Sequence, residues 1–128
     1  MLRSLGAGLA AALLVLTLVM VAGVLPADAA EVLQVRTATV LQVGDGNRSY
    51  AVELACIQVE PAAAEAAQSW LRQELPRRSR VNLRPLGQRE GLLLARVRLL
   101  GRSEDIGAGL IAAGLAEPDP EAPAGCPS

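Results

Sequence analysis

The sequence predicts a small, mainly β (α+β) domain with one or two short packed helices, preceded by an N-terminal signal segment. Three observations predict it. Apolar residues alternate with period two from Val32 to Val43, from Tyr50 to Ile57, from Arg80 to Arg84 and from Gly91 to Leu100. The first two stretches flank Gly44-Asp45-Gly46-Asn47, residues that tolerate positive φ and so suit a hairpin turn. Helical spacing is confined to two short stretches, after Pro61 and after Ser103.

Taken in order, Arg3 is followed by an uncharged run to Ala27, rich in Leu, Val and Ala, and then by Ala27-Asp28-Ala29. A basic start, an apolar core and a small-x-small site form a secretory signal peptide over residues 1–29, with the mature chain beginning near Ala30. Residues 5–25 are also long enough to span a bilayer, so an uncleaved membrane anchor is the alternative. Either way the remainder is expected outside the cytoplasm, secreted or periplasmic. Next, Val35, Thr37, Thr39, Leu41 and Val43 alternate with Arg36, Ala38, Val40 and Gln42, which reads as one long β-branched strand. The return strand places Val52, Leu54 and Cys56 on one face and Ala51, Glu53 and Ala55 on the other. Glu53 is a charge among apolar neighbours, expected at a barrel rim beside an arginine.

Pro61 suits the first turn of a helix that runs to Pro76, with Ala63, Ala67, Trp70 or Leu71, and Glu74 or Leu75 recurring at helical spacing and Trp70 as its large anchor. Val81 and Leu83, then Leu93, Ala95, Val97 and Leu99, mark two further strands whose arginines face water. Ser103 is placed to cap a short helix that buries Ile106 and Leu110 and closes at Gly114, weakened by Gly107 and Gly109. The domain so delimited covers residues 32–117. Residues 118–128 form a Pro-rich, extended tail.

Composition narrows the chemistry. The 128 residues are 52% hydrophobic, a fraction inflated by the first thirty, and only one small domain fits. One Trp, one Tyr and no Phe argue against a base-stacking platform for single strands. With no His, Ser-His and Cys-His catalysis are excluded, and two cysteines cannot complete a four-cysteine zinc site. Carboxylate, arginine and hydroxyl chemistry remain. The formal net charge is −1, yet nine arginines lie between Arg72 and Arg102 against only Glu74 and Glu90. Every basic residue is Arg, which suits phosphate forks but points first to a solvated barrel face in a chain with GC-rich codon bias.

The order of elements, the Asp45-Gly46 hairpin, the run Leu54-Ala55-Cys56-Ile57 and the strand from Gly91 to Val97 together resemble the thermonuclease (staphylococcal nuclease-like) family over residues 35–117. The resemblance implies a small OB-fold-like β-barrel. It also implies a phosphodiesterase site in which carboxylates hold calcium, another carboxylate activates water and two arginines neutralise the phosphate. The scaffold residues match and the chemical ones mostly do not. Asp45 and Gly46 fit the family's Asp-Gly-Asp-Thr, but Asn47 stands where a metal-binding Asp is expected and Arg48 where the Thr is expected. Glu53 stands at the first phosphate-binding Arg, which reverses the charge. Gln58 stands at the second metal-binding Asp, and the closing Pro-Glu is inverted as Glu60-Pro61. Gln88, Glu90 and Leu92 fall where the family has Asp, Tyr and the second Arg. Losing a single oxyanion donor costs about 100- to 1000-fold in rate, so the expected catalytic site is none.

Cys56 in the hairpin strand and Cys126 in a tail with no other attachment are expected to form a disulfide in an exported chain. The alternative keeps Cys56 as a buried thiol and Cys126 free or paired between chains. Three functions stay open. The first is a non-catalytic interaction or structural module, a pseudoenzyme with no cofactor and an unidentified protein or surface partner. The second is a calcium-dependent nuclease improvised from Asp45, Glu60 and Arg89. The third is nucleic-acid binding without cleavage, with Arg89, Arg96 and Arg98 as phosphate contacts.

Overall fold

The computed structural model describes residues 29–127. The expected leader, residues 1–29 with its apolar segment 5–25, lies outside the described residues except for Ala29. Strands β1 (Ala29–Val35), β2 (Val40–Asp45), β3 (Arg48–Leu54), β5 (Arg80–Arg89) and β6 (Leu92–Leu99) close into a barrel in the order β1-β2-β3-β6-β5. All neighbours are antiparallel except β3 and β6, whose parallel pairing sets Glu53 opposite Leu94. This is the OB-fold-like, mainly β architecture with two short helices. Two short strands outside the barrel, β4 (Ile57–Gln58) and β7 (Glu117–Pro118), pair with each other.

The long strand expected from Val32 to Val43 is instead a hairpin, with β1 and β2 antiparallel and Val35 opposite Leu41. No Gly, Pro or Asn marks its turn. Thr37 makes the turn with its side chain, Oγ1 accepting from the backbone N–H groups of Thr39 and Val40 at 3.2 and 3.0 Å. A threonine hydroxyl can thus substitute for the usual turn residues while leaving an unbroken β-branched pattern. The barrel also starts earlier than residue 32, because Ala30 is buried and Ala29 already pairs with Asn82 of β5. The Asp45 hairpin closes as expected, on Gly46 at φ +64°. At the β5–β6 turn Glu90 and Gly91 both take positive φ, the two-residue geometry whose twist matches that of the strands.

Val32, Leu41, Val43, Val52, Val81 and Val97 fill the barrel, each essentially inaccessible to solvent. A 3₁₀ turn at Pro61–Ala63 leads into helix α1 (Ala64–Glu74), which closes one side through Ala67, Leu71 and Leu75 at i, i+4 and i+8. Leu71 is the core anchor of α1. Trp70, expected in that role, is half-buried against the edge of the core and packs over helix α2 (Ile106–Ala112). The glycines that weaken α2 in isolation are what let it dock. A Cβ on Gly109 would stand 2.8 Å from the Trp70 ring, and one on Gly107 would stand 3.1 Å from Ile57 Cγ2. The cap of α2 is Asp105 rather than Ser103: its Oδ1 accepts from the Ala108 N–H at 2.7 Å.

Residues 117–127 do not form a detached tail. They make a strap attached to the rest of the domain at several points. Glu117 and Pro118 pair with Gln58 and Ile57, and the Asp119 N–H donates to Cys56 O at 3.0 Å. Arg96 donates to Gly125 O, and Cys126 is disulfide-bonded to Cys56 with a Cα separation of 5.5 Å. The premise that the disulfide alone holds this segment is therefore corrected, although the pairing itself is as expected. Cys56 sits in the bend between β3 and β4 at φ +75°, so its side chain leaves the face shared by Val52 and Leu54.

Candidate functional site

The positions that the family resemblance assigns to chemistry fall in several places on the barrel. Asn47 sits at the β2–β3 turn, exposed, beside a shallow hollow lined by Glu31, Arg48 and Arg80. Gln58 lies in β4 and donates to Glu117 of the strap at 3.4 Å. Glu60 is exposed ahead of the 3₁₀ turn and caps no backbone group. Leu92 opens β6, half-buried opposite Arg89.

Glu53 is the member of this set with a charged partner. Because β3 and β6 are parallel neighbours and β5 folds back on β6, the tip of the β5–β6 hairpin brings Arg89 Nη1 to 4.0 Å from Glu53 Oε1. The pairing of Glu53 with a nearby arginine is the arrangement expected from its sequence context. Arg89 has a closer partner in the strap: Nη2 lies 3.1 Å from Asp119 Oδ2. The Asp119 side chain is only 9% exposed, whereas that of Arg89 is 38% exposed, so the carboxylate is the enclosed member of the pair. Asp119 also accepts from the Glu121 N–H at 3.0 Å through its other oxygen, an Asx turn. That N–H and then the Arg89 guanidinium hold the Asp119 carboxyl below its ordinary range, against the opposing effect of burial. The hydrogen bond to Asp119 in turn raises the proton affinity of Arg89.

A calcium ion would need several oxygen ligands in one place, preferably carboxylates. Asn47 and Gln58 supply no charge, and Glu53 is turned to Arg89. Among the described residues no three His, Cys, Asp or Glu side chains are grouped to hold a metal. The donor set does not fit the ion.

Of the arginines expected to contact phosphate together, Arg96 and Arg98 do share a concavity, and Arg89 is not part of it. The third arginine lining that pocket is Arg84 of β5. Sequence reasoning missed Arg84, Asp105 and Asp119. Arg84 and Arg96 stand opposite each other in the β5–β6 register, which the Pro85–Gly87 bulge makes hard to count from sequence. Asp119 did carry a local signal, since Asp-Pro-Glu is a turn-forming sequence, but nothing local points it at Arg89.

Among the described residues no helix is long and apolar enough to cross a membrane, a statement that leaves strands aside. The Cys56–Cys126 bond is compatible with an extracellular or periplasmic location. Compared with known proteins, the chain matches no family model and no curated protein.

Proposed function

We propose that this chain is an exported, non-catalytic member of the thermonuclease-like barrels, kept as an interaction or structural module. One observation carries the reading. The arginine beside Glu53 is closed off by the protein's own carboxylates, Asp119 at 3.1 Å and Glu53 at 4.0 Å. A phosphodiester at that point would meet two negative charges and one arginine already engaged, where a nuclease needs preorganised positive charge. The neutral Asn47 and Gln58 and the apolar Leu92 support the same reading. The three-part N-terminal pattern and the disulfide support export.

The test is cleavage of labelled DNA and RNA with calcium against chelator. No calcium-dependent product is expected from the unmodified protein. Single reversions such as Glu53→Arg are expected to stay inactive, because a phosphate clamp without a metal ligand set leaves the ester unpolarised. Activity is expected only when Asn47→Asp, Glu53→Arg, Gln58→Asp, Leu92→Arg and exchange of Glu60-Pro61 to Pro-Glu are combined. Calcium-dependent hydrolysis by the unmodified protein, abolished by Glu60→Ala, would overturn the proposal.

A further inference from the structure

The outer faces of β5 and β6 carry a second basic cluster that the reading above does not use. Side chains alternate across a strand, so with Val81 and Val97 turned into the barrel, Asn82, Arg84, Arg96 and Arg98 stand outward. The register sets Asn82 opposite Arg98 and Arg84 opposite Arg96. Like charges facing each other on antiparallel strands repel, and folding has placed such a pair here. Arg96 is the one answered from within the chain: Nε lies 2.8 Å from Asp105 Oδ2, and Nη1 donates to Gly125 O at 3.3 Å. Its side chain is 26% exposed, fixed between α2 and the strap. Arg84 and Arg98 are exposed and have no carboxylate within ion-pair distance among the described residues. With Ser103 and Asp105 these side chains line a pocket of about 300 Å³.

We infer that this pocket binds a dianionic phosphate monoester. The charge is the first argument. Three guanidiniums against the single carboxylate of Asp105 leave an excess of two positive charges, which a monoester above its second pKa of about 6 matches and a diester or carboxylate half-matches. Shape is the second. Arg84 and Arg98 come from different strands, and a tetrahedral head has oxygens enough to accept from both forks while Asn82 and Ser103 donate to a third. The repulsion favours an anion too, because Asp105 answers Arg96 alone and leaves Arg84 facing it with no carboxylate of its own. The site is independent of the degenerate nuclease positions, and Arg89 has no part in it.

Calorimetric titration of the disulfide-bonded full chain with phenyl phosphate near neutral pH tests the inference. Saturable one-to-one binding is expected, weakened about tenfold or more by Arg84→Gln and by Arg98→Gln, each of which removes charge-assisted hydrogen bonds at an exposed position. Arg89→Gln is expected to leave the affinity unchanged. Phenyl sulfate, of the same shape with one charge, is expected to bind more weakly, and phenyl phosphate is expected to lose affinity below about pH 6. Thermal melts of the variants check that the fold is retained. No saturable binding, equal affinity for phenyl sulfate, or an equal loss in Arg89→Gln would overturn it. So would a short oligodeoxynucleotide without terminal phosphates binding more tightly than phenyl phosphate, which would mark the face as a polyanion surface.

Discussion

The tip and the stem of the β5–β6 hairpin carry the same residue type on the same two strands and end in opposite electrostatic states. At the tip, Arg89 meets Asp119 of the strap and Glu53 of β3. Along the stem, the single carboxylate of Asp105, which also caps α2, pairs with Arg96 and leaves Arg84 and Arg98 without an acid among the described residues. Nothing in the arginines themselves separates the two regions. What separates them is where the chain returns: a disulfide-anchored strap arrives at the tip with an acid, while a short helix arrives at the stem with one acid for three bases. A cation's availability is thus a property of the packing around it.

The largest expected effect comes from cutting the strap loose. Cys56 and Cys126 are separated by 70 residues, for which loop-closure entropy gives about 4 kcal/mol of stability. Paired Cys56→Ser and Cys126→Ser substitutions, followed by urea denaturation, are expected to lose stability on that scale. A loss under about 1 kcal/mol would show that the ladder to β4 and the Asp119 contacts hold the strap by themselves, making the closed tip independent of the bond.

Asp119→Asn is the sharper cut, since it leaves the strap bonded and removes only the charge. A loss of about 1 kcal/mol is expected, because the pair is hydrogen-bonded and the acid enclosed while Arg89 remains partly solvated. The effect has a pH signature. The Asp119 carboxyl is held below its unfolded value of about 3.9, so its contribution is complete above that pH and fades as pH falls through the lower folded value. Denaturation midpoints measured down the acid range should therefore converge for the two proteins. Curves that stay parallel to the lowest pH would show that the stabilisation is not electrostatic.

The smallest effect belongs to the stem. Arg84→Gln removes a charge that faces another charge and contacts no acid, so stability is expected to change by about 0.5 kcal/mol or less, in the stabilising direction. A destabilisation of about 1 kcal/mol or more would mean that Arg84 has a structural partner and that stem and tip are alike after all.

Local residue pattern was enough for the alternating stretches that become the barrel, the Asp45 hairpin, the helix between Pro61 and Pro76, and the burial of Ile106 and Leu110. Each follows from periodicity or turn chemistry within about ten residues of chain, the range over which side chains dictate local backbone. The sequence also placed Glu53 beside an arginine and paired Cys56 with Cys126. The β1–β2 turn escaped because Thr37 makes it with a hydroxyl inside a pattern that otherwise reads as continuous strand. Gly107 and Gly109 weaken α2 when read locally, and only the Trp70 ring and Ile57 standing against them show what the missing Cβ atoms are for. Which arginines are answered depends on long-range packing. Arg89 and Asp119 are 30 residues apart, Arg96 and Gly125 are 29 apart, and a contact between such positions depends on where whole elements dock. Charge is written in the sequence, but its neutralisation is a matter of distance, and distance is set by the fold.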